Sequence, residues 1–304
     1  MGSAHIRLPK NFVLEERLER YADAMELAPA AYRGRWAEAC WPLVSTGGRD
    51  GSGTRPATAA ARADRYAAVH LDLGCGKAAY LLACAREHPT ELFLGMDAEP
   101  VCVAYAAQHI LESGLKNALV IPGEGSALPR LFAPDELAGI TINFPTPQPK
   151  RKHAALRLTY VDRLLAYREL LAPGAAVTLR TDSQPLYDWS LTQFTAAGYT
   201  PLWTSRDTRA ERPELPLTEY EERLSAQGAR ICGICAVPGP APSSAQVEAG
   251  RTAPRSLYDY LPDDLFASGY IPHGMGYAVD CFRARVAKGK VARKETGAAT
   301  TARD

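Results

Sequence analysis

Asp72, Asp97 and Glu124 each stand at or just past the end of a short apolar run, where an acid can hold the polar parts of a nucleoside. Asp72 opens the stretch Asp72-Leu-Gly74-Cys-Gly76-Lys-Ala-Ala79, which fits G-x-G-x-x-A. Small residues at those places let a tight backbone turn pass close to a ligand. Asp97 follows about 20 residues on, at the end of the next predicted strand, where a carboxylate accepts from ribose hydroxyls. Together they predict a ribose-bearing cofactor, either a dinucleotide or S-adenosylmethionine. A second cluster lies in Thr141-Ile-Asn143-Phe-Pro145-Thr146-Pro147-Gln148-Pro149-Lys150-Arg-Lys-His153. Alternate prolines cannot continue a strand or enter a helix interior, so they predict a stiff, extended loop leaving a strand end. That loop carries dense cations beside a strand-end asparagine, Asn143, which suggests a site for an anionic partner.

The surrounding pattern must position these groups. Apolar periodicity predicts a helix over 12–27 and a second over 32–41. Residues 45–65 hold Gly, Ser, Thr, Ala and Arg and read as a flexible linker. From residue 69 strands and helices alternate. Strands are predicted over 69–73, 92–96, 118–121, 140–144, 176–180, 201–204 and 230–237. Helices are predicted over 78–87, 101–112, 158–171 and 186–197. That alternation predicts an α/β fold: a mostly parallel, Rossmann-like sheet with helices on both faces. The long excursion between the last two strands predicts an antiparallel edge. Residues 239–252 read as a second linker, and Met275, Val279, Phe282 and Val286 mark a basic helix in a C-terminal appendage. The predicted division is a helical segment over 1–44, a linker over 45–66, a cofactor domain over 67–238 and a linker with appendage over 239–304.

Two features favour S-adenosylmethionine. Asp72 sits two residues before the first glycine, as in the acid-x-Gly-x-Gly opening of many methyltransferases. Glu124, after the third strand, suits a contact to adenine or its surroundings. In this order the motifs resemble those of the bacterial tRNA (guanine-N(7))-methyltransferases. The resemblance spans roughly 69–237. It rests on Leu71 to Lys77, Gly95-Met-Asp97, Asn143-Phe-Pro145, Pro147, Pro149-Lys150, His153 and Arg157-Leu-Thr159. It continues through Pro173-Gly174, Arg180-Thr-Asp182, Ser205-Arg-Asp207 and Thr218-Glu-Tyr-Glu-Glu222.

The resemblance implies a seven-stranded class I methyltransferase sheet, and methyl transfer from S-adenosylmethionine to a guanine of the tRNA variable loop. It assigns Asp72, Asp97 and Glu124 to the cofactor, with the glycine turn Gly74–Gly76 and strand-end Asn143 beside them. It assigns Lys150, Asp182 and Thr218 to Glu221 to the RNA. Lys150, Arg151, Lys152, His153 and Arg157 would hold phosphates. Guanine N(7) already carries a lone pair, so the task is alignment. Methylation makes the purine cationic, and Asp182 and Glu221 are the carboxylates expected to offset that charge. One departure stands out. Family members usually carry an aspartate after Phe-Pro and then Pro-Trp-Pro-Lys; here those places are Thr146 and Gln148. Threonine forms hydrogen bonds but cannot offset positive charge.

Bulk properties bound the alternatives. At 304 residues the chain holds one large or two small domains, and 46% hydrophobic with 23% charged residues is globular composition. A formal charge of +1 argues against coating nucleic acid through overall charge and leaves room for a local basic patch. No signal-peptide core or membrane-spanning run is evident, so a cytoplasmic protein is expected. Seven scattered cysteines suggest no disulfide framework. Cys232 and Cys235 form C-x-x-C, but on a strand their thiols diverge, so no metal site is expected. Competing readings are an N-methyltransferase of a small purine-like heterocycle, a silent RNA-binding module and, more distantly, a nicotinamide oxidoreductase. Monomer and homodimer both stay open.

Overall fold

The computed structural model describes residues 11–39, 65–261, 270–272 and 274–289. The predicted linker lies outside these residues except for its last two, as do Lys290, Arg293 and Lys294 of the basic tail. Seven strands form one sheet: β1 (Val69–Leu73), β2 (Leu92–Asp97), β3 (Ala118–Pro122), β4 (Leu137–Asn143), β5 (Leu171–Thr181), β6 (Tyr199–Ser205) and β7 (Cys232–Pro238). Their order is β3-β2-β1-β4-β5-β7-β6. β1 to β5 run parallel. β7 is antiparallel to both β5 and β6, so the expected antiparallel edge has its reversed strand one place in from the margin.

The helices are α1 (Leu14–Arg20), α2 (Trp36–Ala39), α3 (Ala79–Glu87), α4 (Pro100–Ser113), α5 (Leu128–Leu131) and α6 (Val161–Leu170). After them come α7 (Gln184–Ala196), α8 (Thr208–Glu211), α9 (Glu219–Ala226), α10 (Ser244–Thr252) and α11 (Gly276–Ala287). Helices on both faces explain why β2 is buried from Leu92 to Met96 rather than alternating. The chain order reverses between adjacent β1 and β4, and the carboxyl ends of β1 to β5 share one edge. Open α/β sheets bind ligands in the crevice at such an edge.

Four expectations change. The helix expected over 12–27 stops at Arg20, because Met25 pairs in parallel with Val120 and Glu26 N–H donates to the Val120 carbonyl at 2.9 Å. The helix expected over 158–171 begins at Val161, and Leu171 already belongs to β5. The expected linker over 239–252 is largely α10, opened by a reciprocal capping box between Ser243 and Gln246. α10 packs closely: a side chain at Gly250 would meet Ala196 of α7 at 2.7 Å and Val161 of α6 at 3.2 Å. The appendage is likewise no separate unit, since Leu257, Met275 and Val279 are fully buried in the cluster that contains Leu186 and Trp189.

Candidate active site

The glycine turn follows β1 with Gly74 and Gly76 at positive φ, 80° and 55°. It folds back onto β2: the N–H groups of Gly74 and Cys75 donate to the Met96 carbonyl at 2.8 and 3.1 Å. Gly76 N–H donates to Asp97 Oδ2 at 2.9 Å, and Glu99 N–H to Asp97 Oδ1 at 2.9 Å. Asp97 is thus aimed by two backbone amides, and each oxygen keeps a further lone pair for a ligand. Burial pushes its carboxyl above the ordinary range, against the pull of those amides. Beside it lies a cavity of about 540 Å³. Asp97, Ala98, Pro122 and Gly123 line it from the ends of β2 and β3, and Leu18 and Met25 from the N-terminal segment. Glu124 is exposed one residue beyond Gly123. The N-terminal wall has no signal in the sequence beyond the apolar periodicity of residues 12–27, to which Leu18 and Met25 belong.

At the β1/β4 reversal, Asp72 is buried and accepts from Asn143 Nδ2 at 3.4 Å. Burial pushes the Asp72 carboxyl up to about 7; the Asn143 bond lowers it, the Asp97 charge raises it and Arg180 lowers it. Asn143 Oδ1 is buried without a hydrogen-bond partner. Two acceptors side by side, one of them costly to ionise, fit a cationic group bearing N–H donors.

The proline loop after β4 is strained, and a buried arginine helps fasten it. Phe144 and Gln148 adopt left-handed φ of 50° and 51°, which non-glycine residues enter only when neighbours over-determine them. Phe144 N–H donates to the Arg180 carbonyl at 2.8 Å. Arg157 donates to the carbonyls of Pro147 (3.2 Å), Gln148 (2.9 Å) and Arg255 (2.7 Å), with its guanidinium 4.3 Å from the Trp189 ring centroid. Arg157 is 1% exposed and desolvation lowers its pKa to about 10. This corrects its assignment as a phosphate ligand: it organises the loop from inside. Lys150, Arg151 and Lys152 are exposed, His153 is half-buried, and Thr146 is exposed between Pro145 and Pro147.

The acids beyond β5 divide into two kinds. Asp182 is buried at the end of β5 and accepts from Tyr270 Oη at 2.7 Å. The cap of α7 is Ser183, whose Oγ accepts from Leu186 N–H. Glu221 is fully buried between Arg180 and Arg209; its Oε1 accepts from Arg209 at 2.6 Å and its Oε2 pairs with Arg180. Two guanidiniums already neutralise this carboxylate, which corrects its assignment as a partner for a cationic base. Thr218 caps α9 by accepting from Glu221 N–H at 3.2 Å, leaving its own hydroxyl proton to donate. Sequence reasoning did not find Arg180 as the strut that holds Glu221, nor Tyr270. Cys232 and Cys235 are buried on β7, where burial raises both thiols, Cys232 to about 12. Among the described residues no His, Cys, Asp and Glu group could hold a metal.

A seven-stranded sheet in this order, a glycine turn after β1 and an acid ending β2 define a Rossmann-like class I methyltransferase domain. Comparison with known proteins agrees. A family model described as "Putative methyltransferase" matches residues 66–234, more than half of the chain. A Streptococcus suis protein named tRNA (guanine-N(7)-)-methyltransferase is 33% identical over 161 residues, covering 53% of this chain and 76% of that protein. Proteins of the same name from Geobacillus kaustophilus and Geobacillus thermodenitrificans are 33% and 30% identical, over 58% and 71% of this chain and 82% and 90% of theirs. This chain belongs to that methyltransferase family.

Proposed function

We propose that this protein transfers the methyl group of S-adenosylmethionine to N(7) of a guanine in the variable loop of tRNA. Membership in a family whose relatives carry that name over most of their length supports the reading first. When bound, S-adenosylmethionine would supply an electrophilic methyl group on cationic sulfur for the N(7) lone pair, and the product purine would carry the positive charge. Asp72 and Asn143 Oδ1 would receive the cofactor's ammonium group, Asp97 its ribose hydroxyls, and the cavity beside Ala98 and Gly123 its base. No residue need remove a proton from N(7), so Thr146 in place of the usual aspartate is compatible with activity. Asp182 supplies the carboxylate that offsets the purine's charge. Lys150, Arg151 and Lys152 hold phosphates from the exposed side of the loop. No helix among the described residues is long and apolar enough to cross a membrane, and the cytoplasm, where tRNA is available, is its place of action.

The direct test is nucleoside mass spectrometry of tRNA incubated with the protein and the methyl donor. The expected product is 7-methylguanosine. A protein that binds the donor yet leaves every tRNA unmethylated overturns the reading. Light scattering with and without tRNA decides between monomer and homodimer.

The Asp72 carboxyl gives cofactor binding a pH dependence with a defined sign. Its folded pKa, about 7, lies above the ordinary carboxylate value. The stability linked to its proton is therefore complete below the unfolded pKa and is lost as pH rises through about 7. An ammonium ion requires the ionised form, so binding expels that proton. Affinity should rise as pH is raised toward 7, by up to about tenfold per unit, and then level off. Calorimetry at pH 6 in buffers of different ionisation enthalpy should record proton release; a flat affinity without release would remove Asp72 from the ammonium contact.

Lys150→Ala should weaken tRNA binding across sequences and reduce the salt slope by about one. Titrations at several salt concentrations measure it. A change confined to cofactor affinity would place the loop against the other ligand.

A further inference from the structure

Residues beyond 234 lie outside the family match, yet they reach the acceptor side of the site. Leu257 N–H donates to the Pro149 carbonyl at 3.1 Å, the Arg255 carbonyl accepts from Arg157 at 2.7 Å, and Lys150 Nζ stands 5.2 Å from the Tyr277 ring centroid. These contacts fasten the C-terminal segment to the proline loop. Buried Leu257 and Met275 anchor it on either side of Tyr270. Tyr270 then donates its hydroxyl to Asp182 Oδ2 at 2.7 Å. Its ring joins Phe144 and Tyr220 on the small cluster of Leu224, Ala229 and Ile231, with Phe144 and Tyr220 edge to face at 5.2 Å.

We propose that Tyr270 is a positioning residue for methyl transfer: its hydroxyl orients the Asp182 carboxylate toward the acceptor guanine, and its ring, with Phe144 and Tyr220, walls the place where that base sits. The inference rests on the function proposed above. Three arguments support it. A hydroxyl donating to a carboxylate makes a charge-assisted bond that selects one rotamer. Bases lifted from a nucleic acid loop are held by stacking on aromatic rings, and three such rings gather beside this acid. The base also becomes cationic on methylation, and aromatic faces stabilise cations more than neutral rings. Burial and the Asp182 contact raise the Tyr270 phenol, so the hydroxyl keeps its proton as a donor. The methyl acceptor site is thus completed by a segment that the family match does not cover.

The test compares Tyr270→Phe with the wild type in the full chain, measuring kcat and KM for tRNA, cofactor affinity, and coupling to Asp182→Ala. The expected loss in kcat is about 10- to 100-fold, the worth of one hydrogen bond to a charged group, with cofactor affinity unchanged. In the Asp182→Ala background the same substitution should cost little, because the hydroxyl acts through that carboxylate. An active wild type with Tyr270→Phe unimpaired, or with equal losses in both backgrounds, overturns the inference alone. Faster turnover in Tyr270→Phe also overturns it, since the hydroxyl would then compete with the acceptor. A wild type that binds cofactor and methylates no tRNA overturns the function and this inference together.

Discussion

Asp182→Asn is expected to lower turnover about 10²-fold or more while leaving cofactor affinity intact. The substitution keeps the side chain's shape and an acceptor for Tyr270 Oη, but removes the negative charge. Its effect therefore reports electrostatics rather than packing. The charge matters here because Asp182 is 7% exposed, and in such surroundings a carboxylate acts on a developing cation with little screening by water. It matters more because the loop that usually carries an aspartate carries exposed Thr146 instead, and because Glu221 is neutralised by two arginines. Single-turnover rates with saturating tRNA measure the loss. Full activity in Asp182→Asn would mean that alignment of N(7) alone carries the reaction.

Glu221→Gln should instead act on folding, lowering stability by about 3–5 kcal/mol. The carboxylate is fully buried and bridges Arg180 on β5 to Arg209 on α8. Its backbone is also tied to Thr218 through the cap of α9. Removing the anion leaves the buried Arg180 guanidinium without its countercharge, the costly way to break such a pair. Arg180 also donates to the Pro216 carbonyl at 3.1 Å, so the segment before α9 should loosen as well. Urea unfolding followed by circular dichroism measures the change. A Glu221→Gln protein of wild-type stability that has lost only turnover would return this acid to the chemistry.

The two acids illustrate how far residues and spacing carry a reading. Asp182 and Glu221 both appear in sequence as acids within matching motifs, and nothing local separates them. The separation comes from partners distant in the chain: Arg180 lies 41 positions from Glu221, and Tyr270 lies 88 from Asp182. Arg157 is the same case with the opposite charge. Next to a basic loop it looks like one more phosphate ligand, but Trp189 and the Arg255 carbonyl bury it. α10 was partly legible, since Ser243 and Gln246 have capping-box spacing, but the Pro, Ser, Ala and Gly around them masked it.

The alternation of strands and helices, the glycine turn, and the placing of Asp72, Asp97 and Asn143 at strand ends were legible in the residues alone. Those features arise from periodicity, backbone freedom and chain order, all of which act over a few residues. That the N-terminal segment walls the cavity beside Asp97, that Arg157 and Glu221 are internal struts, and that the C-terminal segment brings Tyr270 to Asp182 came from packing between distant parts of the chain. Whether a charged side chain faces water or is taken up by a distant partner depends on which surfaces the fold presses together, and side-chain type leaves that choice open.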